Sequence, residues 1–489
     1  MFLLTITLVT SSWCVNLTFP PSFKFGAATA AYQVEGAWNV SDKGEGIWDR
    51  LVHEKPWKIA DGSNGDVACD SYHLWERDIE MAVEMGLQMY RLSISWPRLL
   101  PNGFANYISE DGKNYYNNLI DGLLKNNIEP VVTLYHFDLP QILQDLGGWA
   151  NPYISDWFAD YARVVFSLYA DRVKTWITIN EPLGVCDGGF ADLAAPGVVS
   201  PVGVYLCTKN IVVAHAKAWR IYDKEYKPLY HGQLSLSSLF FWFYPSTRTE
   251  EDEEAAELAR QYMDGKFSHP IYTKEGGWPP SVEKIITQNS IKEGYSRSKL
   301  PPFSQEEIEL VKGTYDYFAL NYYTSRLVRR PRPGEKIGVW PFNGTDEMGL
   351  VFEAHPAWEL AGAPWFSIVP EGVRDQISWI RQNYNNVSVL VTENGFGSTD
   401  HGLHDGKRSQ FIKSHLEQLL LSIKEDGADI QGYIAWTLMQ NYEWYSGYTF
   451  DFGLYHVDHN SSLRTRTPRD SAKYYASVIK ARSLNVPIK

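Results

Sequence analysis

Eight short apolar runs recur along the chain, separated for the most part by longer stretches of helical periodicity. This alternation limits the available folds more than any other feature. The runs are SFKFGAATA (22–30), MYRLSI (89–94), PVVTLYHF (130–137), VKTWITIN (173–180), QLSLSSLF (233–240), YFALNYY (317–323), VSVLVTEN (387–394) and IQGYIAWTLM (430–439). Among the intervening stretches, ERDIEMAVEMG (76–86), KNYYNNLIDGLLKNN (113–127) and QFIKSHLEQLLLSIKED (410–426) read as helices. Strands apolar on both faces and separated by helices imply a parallel sheet covered on both sides. Eight of them closing on themselves give a single (β/α)₈ barrel. The rival, an open doubly wound sheet, lacks its glycine-rich phosphate fingerprint after the first strand. At roughly 150 residues per domain the length would suggest about three domains, but barrels exceed that as one unit. With no internal repeat and no low-complexity linker, residues 19–489 are read as one domain.

Several of these runs end in polar or charged residues: Arg91 to Ser95, His136 and Asp138, Asn180 and Glu181, Asn321 and Tyr323, Glu393 and Asn394, and Trp436. A buried strand has no packing use for such an ending. In a barrel the strand C-termini ring one mouth, where active sites are built. Two of the endings carry Glu, in TINEP (178–182) and TENG (392–395). Cleavage of a glycosidic bond needs one carboxylic acid to protonate the leaving oxygen and one carboxylate to meet the charge at the anomeric carbon. If the second attacks directly, configuration is retained and the two groups lie about 5–5.5 Å apart. Arg91 and Tyr323 are candidates to keep Glu393 ionised, and Glu181 is then the acid, its proton held partly by the nearby charge of Glu393.

The rest of the composition narrows the function. A net charge of −13 argues against a nucleic-acid partner. Aromatic residues make up 14%, with 18 Trp and 30 Tyr, which suits a heavy core and also the flat apolar faces of a sugar site. No His/Cys/Asp cluster has metal-ligand spacing, so neither metal nor cofactor is expected, and no G-x-S-x-G elbow supports a serine nucleophile. The first residues, MFLLTITLVTSSWC, read as a secretory signal peptide within 1–18. No other stretch reaches the about 18 consecutive apolar residues of a membrane span. Sequons at Asn16, Asn39, Asn343, Asn386 and Asn460 fit the same extracellular route. Cys69 reads as a buried thiol, while Cys186 and Cys207 flank one presumed loop and are candidates to pair.

The chain resembles glycoside hydrolase family 1, most closely its insect members, from about Phe23 to Ala481. The resemblance is carried by FKFGAATAAYQVEGAWN (23–39), DVACDSYHLWERDI (66–79), YRLSISWPRLLP (90–101), LYHFDLPQILQDLGGW (134–149), TINEP, SKLPPF (298–303), ALNYYTS (319–325), TENGF and WTLMQNYEW (436–444). It implies a (β/α)₈ barrel and retaining hydrolysis of β-glycosides without cofactor, with a small-molecule β-glycoside as partner, and it leaves self-association into a homodimer open. By it, Glu181 matches the acid/base and Glu393 the nucleophile, with Arg91 and Tyr323 as the nucleophile's partners. Gln33, His136, Asn180, Glu443 and Trp444 match positions that hydrogen-bond the sugar, Trp436 the platform under its ring, Asn321 an ordering position behind it, and Phe452 its wall. Gln33 with Glu443 implies a site for the 4- and 6-hydroxyl region of glucose.

Departures from the family pattern fall on the leaving-group side. YHWD reads YHFD, so Phe137 should leave space near the scissile bond. TFNEP reads TINEP, with Ile179 a core exchange. LMDNFEW reads LMQNYEW, and a segment often ending Arg-Phe-Gly reads Asp451-Phe452-Gly453, which alters the local charge pattern. Phe137, Asp187, Arg326 and Trp365 are the aglycone candidates. A thioglucosidase acting on a sulfated aglycone would want basic groups at the mouth, and Arg326, Arg329, Arg330 and Arg332 follow the sixth run, although a solvated loop is the plainer account of them. Asp187 has the wrong sign for an anionic aglycone. Plant thioglucosidases of the family carry Gln at the acid/base, where this chain keeps Glu181. A non-catalytic glycoside-binding role would call for loss of a catalytic Glu, and both are present. Transglycosylation uses the same residues.

Overall fold

The computed structural model describes residues 17–363 and 365–488. Residues 1–16 of the expected signal peptide, with Cys14 and the Asn16 sequon, lie outside the described residues. Eight parallel strands form the barrel: β1 (Lys24–Ala28), β2 (Met89–Ser93), β3 (Glu129–Tyr135), β4 (Thr175–Asn180), β5 (Gln233–Pro245), β6 (Phe318–Arg329), β7 (Val389–Asn394) and β8 (Ile430–Ala435). Each pairs with its neighbour in sequence, and β8 returns to β1, so the sheet closes. The fold is the (β/α)₈ barrel of the sequence reading.

Every residue of β2, β4 and β7 is buried, which is why their sequences are apolar throughout rather than alternating. Alternation survives in a subtler form. Met89, Val131, Ile177, Ala319, Leu390 and Ile434, one from each of six strands, pack together as the barrel filling. Outward-facing residues meet the helices in a second, larger cluster.

The helices begin and end where local chemistry directs. Ser109 caps Glu110–Lys125 by accepting from Gly112 N at 3.0 Å, and Glu110 and Asp111 follow in the first turn, where the helix dipole favours negative charge. The helix Ser71–Met85, which starts five residues before the expected periodic segment, stops at Gly86 in the left-handed conformation (φ 70°).

Two strands outrun their sequence signals. β5 and β6 continue past Phe240 and Tyr323, pairing Trp242 with Ser325 and Pro245 with Val328. A short hairpin, 344–345 with 350–353, then pairs antiparallel with the end of β6. Arg326 and Arg329 therefore lie on a strand, where a solvated loop was expected. Cys186 and Cys207 form a disulfide with Cα atoms 5.4 Å apart. Cys69 is buried, and burial pushes its thiol up to about 12. Asn39, Asn343, Asn386 and Asn460 are all exposed. Among the described residues no helix is long and apolar enough to cross a membrane.

Candidate active site

The inward positions change character along the strands. Met89 is followed two residues on by Arg91, Val131 by Thr133, Ala319 by Asn321 and Tyr323, Leu390 by Thr392, and Ile434 by Trp436. With period two these share the lumen face, so an apolar barrel floor becomes polar toward the C-terminal mouth. Ladder irregularities sit at both Glu-bearing ends, between Ile177 and Asn180 in β4–β5 and between Leu320 and Asn321 in β6–β7, where Asn321 faces Glu393. Such irregularities re-aim side chains. Glu181 itself takes a left-handed backbone (φ 46°), rare for a residue with a Cβ, and its N–H donates to Ser237 O at 2.8 Å. After Glu393, Gly395 is required because a Cβ there would stand 1.9 Å from Trp436 O.

Arg91, 1% exposed, is the hub. Its Nη1 ion-pairs with Glu393 Oε1 and donates to Thr392 O at 3.1 Å, Nη2 donates to Asn180 Oδ1 at 2.7 Å, and Nε donates to Thr133 Oγ1 at 3.1 Å. Tyr323 Oη donates to the other Glu393 oxygen at 2.7 Å. Asn321 Oδ1 accepts from Ser237 Oγ (2.9 Å) and Thr392 Oγ1 (2.7 Å). Its amide nitrogen is therefore turned to Asn180 Oδ1 (3.0 Å) and Glu181 Oε1 (2.8 Å).

The two carboxyl groups thus sit in unlike surroundings. Burial pushes Glu393 upward, and Arg91 and Tyr323 oppose it. Glu181 is pushed up to about 8 by burial and by the charge of Glu393, opposed by the Asn321 amide and, less, by the charge of Arg91. Both carboxyl groups are raised, and Arg91 and Tyr323 favour the ionised form of Glu393 more than anything favours that of Glu181.

Around this pair lies a cavity of about 360 Å³. His136, Asn180, Tyr323, Trp436, Glu443, Trp444 and Phe452 line it with both Glu, as do Phe137 and Trp365. The ring of His136 stacks near Trp436 (5.7 Å, 12°) and Trp444 (6.0 Å, 14°). Burial and Arg91 keep His136 neutral; its Nε2 accepts from Asn180 Nδ2 at 3.2 Å, and its Nδ1 is buried without a partner. Gln33, fully buried, donates to Asn441 Oδ1 (3.1 Å), Tyr442 O (2.8 Å) and Glu443 Oε2 (3.4 Å), leaving its own Oε1 unpartnered. Burial and the charge of Glu393 raise Glu443 well above the usual carboxylate range.

Two aglycone candidates are elsewhere. Asp187 is buried and ion-paired with Lys266, both oxygens 2.8 Å from Nζ, and Arg326 is 2% exposed, donating to the carbonyls of Ser325, Phe342 and Trp365. Each charge is neutralised or capped behind the wall, so neither meets the cavity. Arg329 pairs with Glu335 and Glu353. Phe137, held at φ 72°, packs on Trp444 (5.0 Å) and Gly184, and a void of about 10 Å³ lies beside it, toward Trp149 and Phe190. Asp451 is satisfied by Arg469 and by Gly453 N at 2.6 Å, which settles the altered charge pattern without touching either Glu.

The sequence reading missed Thr133, Ser237 and Thr392, visible only as hydroxyls inside apolar runs. It also missed the wall residues Trp48, Leu193, Phe241, Phe342, Tyr445 and Phe450, for which the sequence carries no local signal. Among the described residues no group of His, Cys, Asp and Glu could hold a metal ion.

The sequence model described as glycosyl hydrolase family 1 matches residues 15–484. A human cytosolic β-glucosidase is 40% identical over 479 residues, covering 96% of this chain and 99% of that one. A solved aphid myrosinase is 43% identical with a TM-score of 0.90, covering 95% of this chain and 100% of the other. A rice β-glucosidase, solved as a mutant in a covalent complex with Glc, is 37% identical with a TM-score of 0.87, covering 95% and 99%.

Proposed function

The chain belongs to glycosyl hydrolase family 1 and is an O-glycosyl hydrolase of β-glucosidase type, and from that premise we propose that it hydrolyses β-glucosides with retention, through a covalent glucosyl–Glu393 intermediate. One observation carries the reading: the two carboxyl groups are set apart electrostatically, Glu393 clamped by Arg91 and Tyr323 while Glu181 has one amide. In the first step a Glu393 oxygen bonds to the anomeric carbon as the bond from that carbon to the leaving oxygen breaks. The proton of Glu181 goes to that oxygen, and the alcohol departs. In the second, water gives its oxygen to the anomeric carbon and a proton to Glu181, and the glucosyl–Glu393 bond breaks. The rice relative's covalent complex with Glc supports the intermediate.

His136 Nδ1, on a residue of the cavity wall, and Gln33 Oε1, on a residue bonded to the wall's Glu443, are buried polar atoms without partners, which is costly unless a ligand's hydroxyls complete them. With Glu443 they form a set suited to a glucosyl ring stacked on Trp436. The Cys186–Cys207 bond and the exposure of the four described sequons support action outside the cytosol.

Likeness to a myrosinase raises thioglucosides as a second substrate. Among the described residues, no Lys or Arg lines the cavity, whereas Glu181, Glu393 and Glu443 do, which favours neutral aglycones over a sulfated one. The test is turnover of 4-nitrophenyl β-D-glucoside beside sinigrin. We expect the aryl glucoside to be hydrolysed with the higher kcat/KM. The opposite order would make the chain a thioglucosidase, and inactivity on every β-glucoside would defeat the proposal.

A further inference from the structure

Three consecutive residues beyond Glu181 are each tied down by a different kind of bond. Val185 N–H donates to Glu181 O at 3.3 Å, Cys186 is bonded to Cys207 on the helix Pro201–Ile221, and Asp187 accepts from Lys266 Nζ through both oxygens at 2.8 Å. Lys266 opens the helix Lys266–Tyr272, so the segment carrying Glu181 is fixed against two helices. The Asp187 and Lys266 side chains are 5% and 1% exposed. The ammonium also lies 4.5 Å from the Tyr262 ring centroid and 5.2 Å from that of Phe267.

A fully buried ion pair is a poor way to gain stability, because desolvating both charges cancels most of the attraction, and apolar residues of similar volume hold a core as well or better. What such a pair gives is a fixed geometry, since an ammonium bridging two carboxylate oxygens cannot slide as an apolar contact can. Here that geometry sits six residues from a carboxyl group which must stand at hydrogen-bond distance from a leaving oxygen, and whose backbone is already in an uncommon conformation.

We propose that the Asp187–Lys266 ion pair is a positioning device for the acid/base: it holds the segment that presents Glu181, so that the carboxyl group reaches the glycosidic oxygen. The inference rests on Glu181 being the acid/base of the proposed reaction. Asp187 and Lys266 are positioning residues and touch no substrate.

The experiment exploits the fact that a leaving group which departs unaided does not need an acid. Lys266→Met is compared with wild type on 2,4-dinitrophenyl β-D-glucoside and on phenyl β-D-glucoside. We expect kcat/KM on the phenyl glucoside to fall at least about tenfold further than on the dinitrophenyl glucoside, a fraction of the 10²–10⁴ that a positioned acid supplies. Azide should restore part of the turnover on the dinitrophenyl glucoside, because it attacks the glucosyl-enzyme without a general base. Equal losses on the two substrates, or no loss, would overturn the proposal. Since Lys266→Met leaves a buried carboxylate alone and can unfold the chain, the double variant Asp187→Leu/Lys266→Met carries the same comparison with no stranded charge. If that also fails to fold, the isosteric Asp187→Asn does. A folded variant with the wild-type leaving-group dependence makes the pair merely structural. Failure of the function itself would look different: wild type would be inactive on both substrates.

Discussion

The floor of the cavity and its mouth are built by opposite means. On the floor, Arg91, Asn180, Asn321, Tyr323 and Glu393 stand on barrel strands, and the partners of nearly every polar atom are other strand-borne side chains. At the mouth, Phe342 and Trp365 stack at 4.8 Å on the insertion after β6, and Arg326 holds them from behind through their backbone carbonyls. The floor has charge in fixed places; the mouth has aromatic surface and, among the described residues, no cation. Reaction needs charge placed where it develops, which a rigid barrel provides, whereas selection of a leaving group needs shape, which a loop can vary without disturbing the chemistry.

The hardest blow to that contrast is Glu393→Gln. It keeps the shape and removes the attacking charge, so kcat on an aryl β-glucoside should fall about 10⁴-fold or more, read as initial rates. The same substitution removes the repulsion that helps raise Glu181, so the acid/base should titrate below its wild-type value of about 8, visible by carbon NMR of a labelled Glu181. A Glu393→Gln enzyme of ordinary activity would mean that the floor is not the chemical half.

A milder cut separates the clamp from the charge it holds. Tyr323→Phe deletes the 2.7 Å bond to Glu393 and leaves Arg91 in place, and we expect kcat to fall about 10²-fold. The pH profile gives the sharper reading. Tyr323 lowers Glu393, so without it Glu393 takes its proton at a higher pH, and the acidic limb of kcat/KM should move upward. The basic limb in wild type should follow deprotonation of Glu181, with activity falling as pH rises through about 8. An acidic limb that stays in place would assign the control of Glu393 to Arg91 alone.

The same contrast explains what could be read without coordinates. Glu181 and Glu393 stood out because a polar residue closing a buried apolar run has no structural purpose. Thr133 and Thr392 bond Arg91 and Asn321 beside them and were equally present in the sequence, but threonine is an ordinary strand residue, so nothing marked them. Asp187 was misplaced because a charge does not announce its partner: Lys266 lies 79 residues on, and only packing brings the two together. Arg326 looked like part of a basic loop because the extension of β6 depends on pairing with β5, a tertiary event with no local signature. Phe342 reaches the cavity along an insertion whose path is set by contacts with the rest of the fold.

Phe342 is also where the mouth can be weakened with the smallest disturbance. Its ring stacks on Trp365 and lies 5.9 Å from Phe241, three aromatic side chains of one wall. Phe342→Ala removes one face of that wall, and an aromatic pair contributes about 0.5–1.5 kcal/mol beyond its area. We therefore expect KM for phenyl β-D-glucoside to rise about three- to tenfold, with a lesser change for methyl β-D-glucoside, whose leaving group has no ring to stack. The pH limbs should not move, because neither carboxyl group has lost a partner. A shift in the basic limb would show that the wall also shields Glu181 from water, and the two regions would then be coupled through solvent exclusion rather than separate.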